Sequence, residues 1–148
     1  MEIERKFKVI NLPNLDNVRC VKIIQGYLNT DSEPTLRIRK YDEEYFLTYK
    51  YSRKDLEVNV CDEYELPITE DCFNNLLNKI DGILIEKKRY FIDEIELDIF
   101  EGEHEGLMLA EVEFDSIEDA NNYNKPSWLG EDVTKDKNYR NSYLSKKH

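Results

Sequence analysis

Glu2-Ile3-Glu4-Arg5-Lys6-Phe7 opens the chain, and Glu2, Glu4 and Lys6 within it are spaced two residues apart. Side chains two residues apart in a β-strand project from the same face of the sheet, so these three are expected to lie together. A half-exposed antiparallel strand ordinarily turns such a face to water. The interpretation changes only if several strands repeat the pattern, and this chain repeats it.

Further segments carry pairs of charges at the same spacing, and each pair has a single sign. The pairs are Arg37 and Arg39, Glu63 and Glu65, Lys87 and Arg89, Glu96 and Asp98, and Glu111 and Glu113. Exposed sheet faces usually mix signs, because opposite charges stabilise each other across strands and like charges repel. Segregation by sign therefore favours a site in which one set of side chains binds an anion and the other binds a cation.

These two sets of side chains match the chemistry of a metal-bound polyphosphate. Arginine donates two hydrogen bonds to phosphate oxygens, and lysine contributes a point charge. Mg²⁺ and Mn²⁺ prefer carboxylate, water and phosphate oxygens as ligands. Because buried charges are tolerated only when they are paired, the pattern indicates a cage that holds the ligand between a carboxylate wall and a Lys/Arg wall.

Short alternating segments separated by turn residues predict a mainly β (α+β) protein with few helices. The predicted strands are 2–9, 19–29, 34–41, 44–51, 56–66, 83–92, 94–100 and 107–115, with tight turns at Asp42-Glu43 and Asp93-Glu94. Eight antiparallel strands form either an up-and-down barrel or a strongly curled sheet. A barrel of this size can hold one small ligand.

Capping residues predict the peripheral helices. Thr69 precedes a helix whose apolar face includes Phe73 and Ile80 and which Gly82 ends. Ser116 and Asp119 resemble a capping box for a shorter helix through Tyr123. A third helix is predicted after Leu12-Pro13, with Leu15 and Val18 on its apolar side.

The composition excludes several classes of partner. The 148 residues suit a single domain, 1–148, and carry a net charge of −11 from 32 acidic and 21 basic side chains. That balance argues against binding to nucleic acid or to an anionic membrane surface. Three separated cysteines without zinc-ligand spacing predict free thiols in a reducing compartment, and no apolar run predicts a signal or membrane segment. We expect a cytoplasmic protein.

The motifs form an ordered set along the chain. The N-terminal Glu2-Ile3-Glu4-Arg5-Lys6 is followed by Gln25-Gly26-Tyr27, Thr35-Leu36-Arg37-Ile38-Arg39, Leu47-Thr48-Tyr49-Lys50, Ile85-Glu86-Lys87-Lys88-Arg89-Tyr90 and Glu111-Val112-Glu113. This order resembles that of the CYTH superfamily, also called triphosphate tunnel metalloenzymes. The resemblance implies a closed barrel of eight antiparallel strands whose lumen is a tunnel for a triphosphate.

The resemblance also implies roles for individual side chains. The implied phosphate-binding residues are Lys6, Arg37, Arg39, Lys50, Lys87 and Arg89. The implied ligands of Mg²⁺ or Mn²⁺ are Glu2, Glu4, Glu111, Glu113 and Asp98, and the four glutamates of this set are also the predicted catalytic residues. Glu63 and Glu65 are expected either to orient the basic side chains or to contact the metal through water. Some relatives carry a further lysine where this chain has Ser52, and Lys54 is the nearby lysine with the strand parity of Lys50.

The family contains several activities, which leaves three hypotheses for this chain. The first is metal-dependent hydrolysis of tripolyphosphate or of a nucleoside triphosphate. The second is a class IV-type adenylate cyclase, and the third is a non-catalytic module that binds polyphosphate or nucleotide. No segment suggests a pocket for adenine, and both glutamate pairs are present, so hydrolysis is favoured. A homodimer is a further possibility that the resemblance implies.

Overall fold

The structure is a computed structural model that describes residues 2–30, 32–53 and 58–146. The strands of these residues are β1 (Glu2–Val9), β2 (Cys20–Tyr27), β3 (Thr35–Tyr41), β4 (Glu44–Arg53), β5 (Asn59–Pro67), β6 (Asp81–Ile92), β7 (Ile95–Glu101), β8 (Met108–Phe114) and β9 (Leu129–Asp132). They pair antiparallel in the order β5-β4-β3-β2-β6-β7-β8-β1, and β1 pairs with β5 to close the barrel. The predicted eight-stranded barrel is confirmed, with β9 as an added strand beside β1.

Two aspartates at left-handed backbone positions form the tight turns that were predicted. Asp42 has φ 55° between β3 and β4, and Asp93 has φ 52° between β6 and β7. Asp tolerates this conformation better than most residues, and two-residue turns of this kind match the twist of the flanking strands. The turns therefore set the registers of both hairpins, including Arg89 opposite Asp98.

Three short α-helices lie outside the strands: α1 (Glu70–Leu77), α2 (Ile117–Asn121) and α3 (Asn141–Leu144). Single 3₁₀ turns occupy Gly102–His104 and Lys137–Tyr139. Thr69 Oγ1 accepts a hydrogen bond from Cys72 N at 3.1 Å, and Ser116 Oγ accepts one from Asp119 N at 3.0 Å, as the capping patterns predict. No helix of the described residues is long and apolar enough to cross a membrane.

Three details of the helix prediction are wrong, and one of them is that the helix after Ser116 ends at Asn121 and does not reach Tyr123. Residues 10–19, all of them described, form no helix, because Asn14 Oδ1 accepts a hydrogen bond from Asp16 N at 2.9 Å and Asn17 has φ 62°. This local turn chemistry competes with helix formation. The first helix ends at Leu77 and does not reach Gly82, which instead lies in β6. Gly82 is needed there because a Cβ would lie 2.0 Å from Ser145 O, the carbonyl that accepts from Ile83 N.

The apolar core lies partly outside and partly inside the barrel. Outside, a cluster around Phe7 and Val112 is covered by Leu129 and Trp128. Inside, another cluster fills one end of the lumen and is completed by Val133 and Leu144 of the C-terminal segment; its barrel residues are Tyr27, Ile85, Phe100 and Leu109. Only the remaining length of the lumen is polar, which places the charged side chains beyond this apolar plug.

Candidate active site

A polar cavity of about 110 Å³ occupies the barrel lumen and brings most of the predicted site residues together. The predicted residues that line it are Glu2, Glu4, Lys6, Arg37, Arg39, Lys50, Glu63, Arg89 and Glu111. These nine residues lie on six strands, β1, β3, β4, β5, β6 and β8, where the strand alternation turns charged side chains inward. The lumen is therefore a charged compartment enclosed by a hydrogen-bonded sheet.

Three carboxylates of the cavity, those of Glu2, Glu4 and Glu111, lie on β1 and its neighbour β8. Lys6 lies opposite Glu111 in the register, and their Nζ and Oε1 atoms are 3.5 Å apart. Across the lumen, Lys50 Nζ lies 2.9 Å from Glu2 Oε1 and 3.8 Å from Glu4 Oε1. The two lysines are thus the internal counter-ions of this carboxylate group.

The carboxylates differ in their protonation because their surroundings differ. Burial, together with the nearby Glu111 and Glu2 carboxylates, raises the pKa of Glu4 to about 8 against the opposing effect of Lys50. Burial also opposes ionisation of Glu111, but Lys6, Arg89 and other cations hold its pKa well below the usual value. Glu4 is thus a carboxyl group of the cavity that readily binds either a proton or a metal ion.

The donor set fits a divalent metal ion. Glu2 Oε1 is buried in the cavity, with Lys50 Nζ 2.9 Å away as its cationic neighbour. Glu2, Glu4 and Glu111 offer the carboxylate oxygens that Mg²⁺ and Mn²⁺ prefer. Within the described ranges no three such groups already converge into a metal-binding cluster, because Lys6 and Lys50 stand beside them.

The arginines of β3 form a cationic wall that lacks full compensation. Arg39 Nε donates a hydrogen bond to Gln25 Oε1 at 2.9 Å, and no carboxylate of the described residues lies within ion-pair distance of its guanidinium. Burial, together with Arg37 and Arg89, lowers the pKa of Arg39 to about 9. Arg37 lies 3.8 Å from Glu63 Oε1, and its Nε is buried without a partner. Buried donors without partners favour an anionic ligand.

Lys87 and Asp98 are buried on the inward face of the barrel, and neither is part of the cavity lining. Asp98 accepts hydrogen bonds from Arg89 Nε at 2.8 Å and from Arg89 Nη2 at 3.0 Å, and Lys87 Nζ is 2.8 Å from its Oδ2. Burial lowers the pKa of Lys87 to about 8 against the effect of Asp98. Both carboxylate oxygens of Asp98 therefore already contact cations in this structure. The predicted roles of Asp98 as a metal ligand and of Lys87 as a phosphate contact stay predictions.

Glu113 and Glu65 are exposed at the rim and also lie outside the cavity lining. Glu113 pairs with Glu4 in the register, so it shares the inward face but stands at the end of β8. Glu65 accepts a hydrogen bond from Thr48 Oγ1 at 3.5 Å, and Thr48 Oγ1 accepts one from Arg37 at 3.4 Å. Ser52 lines the cavity at the position where the family resemblance suggests a further lysine. Lys54 lies outside the described residues.

Several side chains near the cations were given no site role from the sequence, although Glu96 is one of the paired charges and Gln25 belongs to the motif set. Gln25 orients Arg39, and Glu96 Oε2 lies 3.3 Å from Arg89 Nη1. Asn141 Oδ1 accepts from Lys87 Nζ at 3.2 Å, and the Tyr139 carbonyl accepts from Lys6 Nζ at 2.9 Å. Strand parity signals Gln25 and Glu96, because each shares a face with known inward residues. No local pattern signals the C-terminal contacts.

The fold and the site define a closed antiparallel barrel whose lumen sets carboxylates against arginines. The chain belongs to the CYTH domain family, whose sequence model matches residues 1–147. The resemblance inferred from the motifs is thereby confirmed.

Similar proteins cover the chain almost completely. An inorganic triphosphatase of Nitrosomonas europaea is 40% identical over 150 residues, which span 97% of this chain and 96% of that protein. An inorganic triphosphatase of Acetivibrio thermocellus is 35% identical over 98% of this chain and 93% of its own length. The crystal structure of the inorganic triphosphatase NE1496 aligns with a TM-score of 0.71 and 38% identity, over 100% of this chain and 96% of that one.

Proposed function

We propose that this protein is a metal-dependent inorganic triphosphatase that hydrolyses a phosphoanhydride bond of tripolyphosphate in the barrel lumen. The observation that carries the proposal is the cavity in which Arg37 and Arg39 face the carboxylates of Glu2, Glu4 and Glu111. Two relatives at 40% and 35% identity, both named inorganic triphosphatases, support it.

The side chains divide the work of binding and positioning. Arg39 and Arg37 supply donors for the phosphate oxygens, and Arg89, held by Asp98, presents a third cation to the cavity. Glu2, Glu4 and Glu111 would hold Mg²⁺ or Mn²⁺. When bound, that cation supplies neutralisation of phosphate charge and a more acidic water. Catalysis of phosphoryl transfer to water then rests on positioning and charge, without a side-chain nucleophile.

Lys50 and Lys6 are proposed to exchange partners when the substrate binds. In the structure they neutralise Glu2 and Glu111, and both ammonium groups also line the cavity. A metal ion on the carboxylates would free these lysines to contact phosphate oxygens. This exchange keeps the buried charges paired in both states, which is the condition under which buried charge is tolerated.

The direct test is a product assay with tripolyphosphate and with ATP, each with Mg²⁺ and with Mn²⁺. Orthophosphate released from tripolyphosphate, with little cyclic AMP from ATP, is the expected result. Cyclic AMP and pyrophosphate would instead support the cyclase hypothesis, and binding without turnover would support the non-catalytic module. Glu111→Gln is expected to abolish turnover, and the exposed Glu118→Gln serves as the matched control.

The same assay decides the breadth of the substrate class, because nucleoside triphosphates were predicted alongside tripolyphosphate. The homodimer remains a prediction, and sedimentation velocity of the purified chain tests it. A single species at the mass of one chain, 17.7 kDa, would contradict the dimer.

A further inference from the structure

A second cavity adjoins the main one where the C-terminal segment meets the barrel. It has a volume of about 250 Å³. The two cavities share the lining residues Glu33, Thr35, Arg140 and Ser142. A ligand held in the lumen can therefore extend into the second cavity without crossing a wall.

Two cations of the second cavity, Lys137 and Arg140, have no acidic partner among the residues that the structure describes. Both line the cavity, and no carboxylate of the described residues lies within ion-pair distance of either side chain. Lys146 also lines it, which gives three basic side chains against the single carboxylate of Glu33. In a chain with a net charge of −11, this local excess of positive charge marks the cavity as suited to an anion.

The uncharged lining of the second cavity indicates which part of a ligand it suits. Its remaining side chains are the hydroxyl-bearing Thr30, Ser32, Thr35, Ser142 and Tyr143. Hydroxyl and cationic groups both donate hydrogen bonds to phosphate oxygens. A nucleobase would need an apolar or stacking surface, and Tyr143 is the aromatic residue among them, with Lys146 Nζ 5.6 Å from its ring centre.

The wall that carries these cations is anchored to the main site. Lys6 donates to the Tyr139 carbonyl, Lys87 donates to Asn141, and His104 Nε2 lies 2.6 Å from the Leu144 carbonyl. Arg140 is thereby held at the junction of the two cavities. Its position depends on residues on both sides of it in the sequence, so the cavity is part of the folded barrel.

We infer that the second cavity binds the phosphate groups beyond the third of a longer linear polyphosphate, such as tetrapolyphosphate. The inference rests on the proposed triphosphatase function and extends its substrate class. Lys137 determines the preference for chain length, because it lines the second cavity and is absent from the lining of the first. Glu33 lies at the junction of the two cavities, and its negative charge reduces the attraction of the three cations for phosphate.

The test measures kcat/KM for tripolyphosphate, tetrapolyphosphate and ATP in the wild type and in Lys137→Ala and Lys137→Glu. We expect the wild type to use tetrapolyphosphate at least as well as tripolyphosphate. Lys137→Ala should lower kcat/KM for tetrapolyphosphate about fivefold, the upper range for one exposed charge contact, and the charge reversal should lower it further. Tripolyphosphate should be unaffected, and Lys88→Ala and Lys88→Glu are controls on the outer face of β6.

Two kinetic results would overturn the inference. One is that the ratio of kcat/KM for tetrapolyphosphate to kcat/KM for tripolyphosphate stays unchanged in both Lys137 variants. A change of this ratio in the Lys88 controls equal to that in the Lys137 variants counts as the same result. The other is a preference for ATP that only the Lys137 variants lose, which would assign the cavity to a nucleoside. If the wild type hydrolyses no tripolyphosphate, the proposed function fails separately. Calorimetric titration with each phosphate chain, without metal, then tests the second cavity by the same Lys137 comparison.

Discussion

Arg89 and Asp98 form a two-pronged ion pair across β6 and β7, with Nε–Oδ1 and Nη2–Oδ2 distances of 2.8 and 3.0 Å. Both side chains are buried, and Lys87 Nζ adds a further contact to Asp98 Oδ2 at 2.8 Å. The planar fork of arginine fits a carboxylate in this geometry, which fixes the guanidinium in one orientation. Asp98 therefore positions Arg89, which in turn lines the cavity.

Asp98→Asn is expected to loosen Arg89 and to leave two buried cations with one neutral acceptor. Breaking a buried ion pair typically destabilises a protein by about 3–5 kcal/mol, which urea unfolding would measure. If Asp98 acts through Arg89, the KM for tripolyphosphate rises while the affinity for Mg²⁺ is unchanged. A loss of Mg²⁺ affinity with an unchanged KM would instead establish Asp98 as a metal ligand.

Arg39→Met should weaken substrate binding and stabilise the fold at the same time. The guanidinium is half-buried in the cavity beside Arg37 and Arg89, with Gln25 as its hydrogen-bond partner. Replacing a partly buried, uncompensated charge by an apolar side chain of similar length removes a desolvation penalty. We expect the KM for tripolyphosphate to rise tenfold or more, which corresponds to a loss of about 1.4 kcal/mol of binding free energy. We also expect the midpoint of thermal unfolding to increase.

The matched control for this trade-off is Arg53→Met. Arg53 is exposed and lies 3.5 Å from Asp62 at the end of β4. Its replacement should change neither KM nor the unfolding midpoint by much, since exposed ion pairs contribute little. A fall in the melting temperature of Arg39→Met would show that Arg39 is compensated by groups other than those described.

The pH dependence of metal binding should follow Glu4. Its pKa of about 8 means that the metal-free protein holds a proton on this carboxyl group at neutral pH. A metal ion must displace that proton, so the apparent affinity for Mg²⁺ should rise about tenfold per pH unit below about pH 8 and then level off. Titrations between pH 6 and pH 9 measure this, and Glu4→Gln should remove the slope. An affinity independent of pH in the wild type would contradict the assignment.

The same carboxyl group should make the metal-free fold less stable as pH rises. The folded state retains the proton of Glu4 up to about pH 8, whereas an unfolded glutamate releases it near pH 4. Since the native state binds more protons across this interval, the free energy of unfolding falls with increasing pH. Glu4→Gln should therefore raise the melting temperature of the metal-free protein at pH 8, and added Mg²⁺ should raise that of the wild type.

Gly82→Ala should detach the C-terminal segment from β6. Gly82 has φ 87°, and a Cβ there would lie 2.0 Å from Ser145 O. We expect a loss of stability of roughly 3 kcal/mol or more, from clash as well as backbone strain. Gly106→Ala is the matched control, because Gly106 has φ 98° but no atom within 4 Å of the added Cβ, so only the strain of about 1 kcal/mol remains. Equal unfolding midpoints in urea for the two variants would contradict the clash.

The sequence by itself determined which side chains face the lumen. Alternation with a period of two is a local property of a strand, so Glu2, Glu4, Arg37 and Arg39 could be placed on one face without knowledge of any partner strand. Helix caps at Thr69 and Ser116 were predictable for the same reason, since the capping side chain bonds to its own helix. The helix predicted after Leu12-Pro13 failed where side-chain hydrogen bonds of asparagine outweighed a weak apolar pattern.

Only the tertiary structure decided how deep each inward side chain lies. Arg89 lines the cavity, whereas Lys87, two residues earlier on the same face, is buried outside the cavity lining against Asn141. Sequence spacing cannot separate the two, because depth depends on where the C-terminal segment plugs the barrel. That segment reaches Lys6 from Tyr139 and Thr134, more than 120 residues away in the chain. Contacts at such separation depend on the closure of the barrel and have no local signal.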